Sequence, residues 1–167
     1  IWGLMSQSKL RSAIICFFSL LMAFLVKQSA LSIAPFFCLA LYLKFQRIAL
    51  IVSVGLVVSV SLITLGMDLS TGGWYSYYIF QLASEHKWIT HRYWSFFTHD
   101  LLFWFFPATL IVIIAIRNNP RTLSASIYLI AIGLFVCSYL SRLHNGGYVN
   151  VLIPAHLAIA IITSRSV

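Results

Sequence analysis

Apolar residues run along this chain in long blocks parted by short polar breaks. Six blocks stand out: residues 12–26, 28–43, 48–67, 96–116, 122–141 and 149–163. Each reads as a helix in lipid, where no water is at hand for exposed peptide groups and a helix satisfies its own. The expected fold is all-α: a polytopic transmembrane helix bundle of about six spans, one transmembrane domain over residues 1–167. Crossing ~30 Å of hydrocarbon takes about 20 residues, and three of the blocks are shorter, at 15 or 16. Fusing the first two would give a helix about 48 Å long. Lys27 would then lie near mid-membrane, at a cost of about 3 kcal/mol. A hairpin with Lys27-Gln28 at its tip avoids that cost. Pro35 and Pro107 fall inside spans, where kinks are tolerated, and Asn118-Asn119-Pro120 is a turn signal between two spans.

Residues 68–95 form the expected outer loop. Within it Gly72-Gly73 is a breaker, and residues 74–84 then show helical spacing, with Trp74, Tyr78 and Leu82 on one face and Tyr77 and Gln81 beside them. At about 16 Å this helix is too short to cross and is expected to lie in the membrane interface. Tyr77 and Gln81 are expected to border a substrate opening, with Trp74 and Tyr78 turned toward lipid or the bundle. Trp2 is expected on the opposite side of the membrane.

Composition strengthens this picture. The chain is 61% hydrophobic and 8% charged, with a mean hydropathy of +0.96, where soluble domains carry about 25% charged residues. That excludes soluble enzyme folds, secreted disulfide scaffolds and disordered binders. The net charge of +8 is spread singly between apolar runs, not along a stripe, so no nucleic-acid partner is expected. Cys16, Cys38 and Cys137 lie in apolar runs without metal-ligand spacing and read as small buried hydrophobes. Beginning at Ile1 rather than Met, the chain reads as an internal or C-terminal piece of a longer membrane protein, with the remainder of that polypeptide as a partner.

Charge also orients the spans. If six alternate, Lys9, Arg11, Lys44, Arg47, Arg117, Arg121 and Arg165 share one side. Lys27, Lys87, Arg92 and Arg142 share the other with all three acids, Asp68, Glu85 and Asp100. The positive-inside rule then predicts both ends of the segment in the cytoplasm.

The outer side holds the candidate chemistry. Between Trp74 and Phe106 lie 14 of the chain's 26 aromatic residues. They read either as headgroup-depth anchors or as a platform for a sugar or a lipid-linked substrate. His86, His91 and His99 share the region with Glu85 and Asp100 but match no metal motif, so they read as hydrogen-bonding groups; no metal and no cofactor is expected. Asp100, near the start of a span, complements the helix N-terminus or meets a substrate hydroxyl. Lys27 and Arg142 stand at span ends. There they either snorkel or bind a phosphate together. His144, Asn145 and Tyr148 follow Arg142 on a glycine-containing loop.

Three segments carry a family likeness. Val26-Lys27-Gln28-Ser29-Ala30-Leu31 resembles the lysine–glutamine junction of bacterial membrane glycosyltransferases. Ser70-Thr71-Gly72-Gly73-Trp74-Tyr75 with Tyr77-Tyr78 and Glu85-His86, and the run from Ser141 to Ala155, resemble loops of the same proteins in order and spacing. The family is the GT-C superfamily, near its protein O-mannosyltransferase-like and aminoarabinose-transferase-like branch, with this chain resembling the C-terminal part of the membrane domain. The resemblance implies transfer of a sugar from a polyprenyl-phosphate carrier to an extracytoplasmic acceptor in a bacterial inner membrane. Lys27 and Arg142 would serve the donor phosphate, and Tyr77, Gln81, His86, Asp100, His144, Asn145 and Tyr148 the substrate side. The usual catalytic acid of such enzymes sits in a first outer loop that this chain does not match, so the catalytic residue is unknown and expected outside the chain. Two other readings are a transporter or flippase fragment, with His156 and Pro154 as its intramembrane candidates, and a non-catalytic membrane subunit.

Overall fold

The computed structural model describes residues 8–118 and 124–166. Trp2, Asn119-Pro120 and Arg121 lie outside the described residues, as does the side chain of Arg165, so the turn and side expected for them are not addressed. The described chain is helical throughout, apart from short connections. Helix α1 spans Lys9–Val26, opening three residues before the expected block because the Ser8 side chain caps it, accepting from the Arg11 N–H at 3.5 Å. At Lys27 the backbone leaves the helix (φ −157°, ψ 120°) and passes into a 3₁₀ turn, Gln28–Ser32, before α2, Ala34–Tyr42. The hairpin expected at Lys27 is therefore present, with its returning arm half 3₁₀ and half α.

Helix α3, Gln46–Thr71, is longer than the hydropathy block at both ends. It stops at Gly72 and Gly73, whose φ values of 62° and 88° lie in the left-handed region that glycine enters without a Cβ clash. Helix α4 follows at once over residues 74–85, α-helical at Trp74–Ser76, widened to a π turn at Tyr77–Gln81 and closed at Leu82–Glu85. Residues 68–95 thus hold the helix expected after Gly72-Gly73, one residue longer than its spacing indicated, together with the ends of two others. Helix α5 covers residues 92–118. It contains a π stretch, Phe96–Leu102, and a kink at Phe105 (φ −115°, ψ 19°). Pro107 accounts for the kink: it has no N–H to donate and its ring crowds the preceding turn. Helix α6 is Ala125–Leu143; a 3₁₀ turn, Val149–Leu152, leads into α7, Ile153–Ser166.

Small residues set how closely these helices approach. A Cβ on Gly133 of α6 would stand 2.7 Å from the Cβ of Phe36, so α2 rests directly on α6 there. Ser126 Oγ of α6 donates to Ala40 O of α2 at 3.2 Å, and Cys137 Sγ to Ser29 O of the preceding 3₁₀ turn at 3.4 Å, which sets this arm of the hairpin antiparallel to α6. Ser138, fully buried, accepts from the Ala155 N–H at 2.9 Å and so satisfies a first-turn amide of α7 from the neighbouring helix. One core forms among α1, α2, α3 and α6 around Leu20, Leu41, Val52, Ile130 and Leu134. A second forms among α5, α6 and α7 around Phe96, Leu152 and Ile159, and Phe135 packs against both. Cys16 and Cys137 are buried and Cys38 half-buried within these helices, all as free thiols.

Among the described residues, three helices, Lys9–Val26, Gln46–Thr71 and Ala125–Leu143, are long and apolar enough to cross a membrane. Large apolar side chains such as Ile51, Val54, Val57 and Leu62 cover the outer surface of α3. So large an exposed apolar surface fits association with a membrane.

Candidate functional site

Lys27 at the hairpin tip, α4 and the loop after α6 meet at one end of the bundle. They enclose a cavity of about 500 Å³. Its polar wall is Lys27, Gln28, Ser29, His86, Ser141 and His144; Tyr78, Phe80 and Leu82 supply an aromatic and apolar wall from α4. Residues far apart in the sequence thus share one concavity. They offer one exposed ammonium, two imidazoles, hydroxyl and amide groups, and ring faces. Such a set supplies a positive charge and hydrogen-bond donors suited to an anion, and ring faces suited to stacking.

Beside it lies a second, largely apolar groove of about 330 Å³ between α1, α2 and α3, lined by Leu20, Leu31, Pro35, Leu56, Val57 and Val60 among others. Ser53 also faces it, but its hydroxyl is spent on Ala49 O at 2.8 Å. Leu31 belongs to both walls, so the polar cavity and the apolar groove adjoin.

Arg142 is not among the residues lining the cavity. Its Nε donates to Asp100 Oδ2 at 2.7 Å and its Nη2 to Asp100 Oδ1 at 3.2 Å, a two-point ion pair with both side chains less than one-fifth exposed. Two expectations change together. Asp100 is neither a helix cap nor a free substrate contact: α5 opens at Arg92, which leaves Asp100 well inside the helix, in its π stretch. Arg142 in turn has its fork filled by that carboxylate, so the geometry brings Lys27 but not Arg142 to the cavity.

Arg92 organises the rim, a role its sequence context did not mark. Its Nη1 donates to the carbonyls of Arg142, His144 and Gly147 at 3.1, 2.8 and 3.2 Å. The segments it joins also pair through their backbones, Ile89 N–H to Leu143 O at 2.9 Å and Asn145 N–H to Lys87 O at 3.1 Å. The His144 ring lies 5.1 Å from that of Trp88, and its Nδ1 is 3.3 Å from His86 O. The loop closes tightly enough that a Cβ on Gly147 would meet Ser141 O at 2.5 Å, whereas one on Gly146 would meet nothing within 4 Å.

Asp68 is likewise committed to structure. It accepts from the Ser76 N–H at 2.8 Å and from the Ser76 hydroxyl, which anchors the first turn of α4 to the end of α3. On α4, Tyr78, Phe80 and Leu82 line the cavity, while Tyr77 and Gln81, the first and last residues of the π turn, do not. Tyr77 instead joins Trp74 and Tyr78 in a ring cluster with centroid spacings of 5.5–5.7 Å. Asn145 and Tyr148 are exposed and outside the cavity wall. His91 and His99 also lie outside it, His99 sharing a 3.0 Å contact with the Thr98 hydroxyl. Among the described residues, no three His, Cys, Asp or Glu side chains gather as a metal site requires. Compared with protein-family profiles, curated proteins and solved structures, the chain matches none.

Proposed function

We propose that this chain is part of a membrane glycosyltransferase that moves a sugar from a polyprenyl-phosphate carrier to an extracytoplasmic acceptor, and that this part binds the lipid-linked donor. The observation that carries the reading is the adjacency of the Lys27 cavity and the apolar groove at Leu31. A prenyl phosphate has the same two-part character. Its phosphate calls for a cation and hydrogen-bond donors at the end of the bundle; its tail calls for an apolar channel running inward from there. In this reading Lys27 meets the phosphate, with Gln28 and Ser29 beside it. His86 and His144 face the sugar, and Tyr78 and Phe80 stack against it. Arg142, Asp100 and Arg92 hold the rim and are positioning residues. The proposed topology is six spans in a bacterial inner membrane, with both ends of the segment cytoplasmic and the cavity outside. The catalytic acid is not assigned to this chain.

The test uses the full-length protein in lipid nanodiscs, with undecaprenyl phosphate and the uncharged undecaprenol as probes. The phosphate is expected to bind more tightly than the alcohol. Lys27→Ala should weaken phosphate binding about tenfold, the loss of one charge-assisted contact, and Lys27→Arg should restore most of it. Equal binding of phosphate and alcohol, or an unchanged Lys27→Ala protein, would remove the basis of the reading.

A further inference from the structure

The other end of the bundle carries a third concavity, independent of the cavity and groove at the Lys27 end. Lys9 at the start of α1 and Lys44 and Arg47 at the α2–α3 turn surround a space of about 340 Å³, completed by Leu43, Phe45 and Gln46. The chain's three acidic side chains are all at the opposite end: Asp68 on Ser76, Asp100 on Arg142, and Glu85 in α4. Lys9 and Arg47 therefore face no acidic side chain among the described residues. Gathering cations at a membrane boundary costs repulsion, which a bound anion reverses. The α3 N-terminus opens onto the same space, and its N-cap Phe45 makes no side-chain capping bond, so the helix dipole adds to the positive field. The surface flanking the cations is apolar, with Leu10, Leu43, Leu50 and Ile51 all exposed.

We propose that this concavity binds the phosphate headgroup of an anionic phospholipid. Lys9 and Arg47 contact the phosphate, and the acyl chains lie along the exposed apolar side chains beside it. Lys44 borders the space with its ammonium 5.2 Å from the Phe45 ring centre, so that its stem forms part of the wall. A free phosphate would satisfy the cations but leave the neighbouring apolar surface unused, which favours the lipid.

Native mass spectrometry of the full chain in detergent tests this, with phosphatidylglycerol and phosphatidylcholine of matched chains as probes. Phosphatidylglycerol should bind at least about tenfold more tightly, as expected for two cations at a headgroup. The double variant Lys9→Gln/Arg47→Gln should lose the preference. Arg117→Gln, a charge removed at the far end of α5, should keep it, and the charge-preserving Lys9→Arg/Arg47→Lys should also keep it, which separates loss of the site from loss of the fold. Equal retention of the two lipids, an equal loss on Arg117→Gln, or displacement of phosphatidylglycerol by millimolar inorganic phosphate would each overturn the proposal.

Discussion

Lys27 and Arg142 carry the same charge at the same end of the bundle, yet their surroundings give them different work. The Arg142 fork is filled by Asp100, so removing either partner should damage the fold before it damages binding. In a double-mutant cycle of Asp100→Ala and Arg142→Ala, followed by thermal unfolding in detergent, the coupling should be about 1–3 kcal/mol. Additive losses would mean that the pair contributes nothing of its own. The adjacent glycines give a second contrast. Gly147→Ala puts a methyl against the backbone oxygen of Ser141, while Gly146→Ala points into open space. The first should cost about 1–3 kcal/mol and the second less than about 0.5 kcal/mol, read from the same melts. None of this was legible in the sequence, because Asp100 and Arg142 are 42 positions apart and no local pattern announces a partner at that distance.

At the scale of elements, the six apolar blocks foretold six helical segments, and the hairpin at Lys27 followed from the cost of burying one ammonium. The helix ends were misjudged, for a physical reason. Hydropathy marks the stretch that faces lipid, whereas α1 and α3 continue through polar residues such as Lys9, Arg11, Gln46 and Asp68 for as long as caps and peptide hydrogen bonds sustain them. The π stretches of α4 and α5 were equally hidden, whereas Pro107 marked the place of the α5 kink. Periodicity presumes a constant pitch, and each departure shifts every later side chain around the axis. The contact of α2 with α6 yields a prediction of its own. Gly133→Ala drives a methyl into Phe36 and should lower the melting temperature, whereas Gly66→Ala, with nothing within 4 Å, should leave it unchanged. Equal melts for the two variants would show that the helices part more easily than their spacing implies.

Across the whole molecule, the cavity with Lys27 and the basic concavity with Lys9 and Arg47 stand at opposite ends of α1. Single cysteines at Ser84 and Gln46, in a background without Cys16, Cys38 and Cys137, should therefore react with a membrane-impermeant thiol reagent from opposite sides of a sealed vesicle. Labelling of both from one side would refute the two-sided arrangement. The Arg92 guanidinium adds a consequence in time. The three carbonyls it grips lie 50–55 residues further along the chain. During synthesis Lys27, α4 and Arg92 all emerge while the carbonyls of Arg142, His144 and Gly147 are still unmade. A nascent chain halted before Arg142 holds the lysine and the aromatic wall with no rim across them, so this site cannot close until the end of α6 and the loop after it have been made.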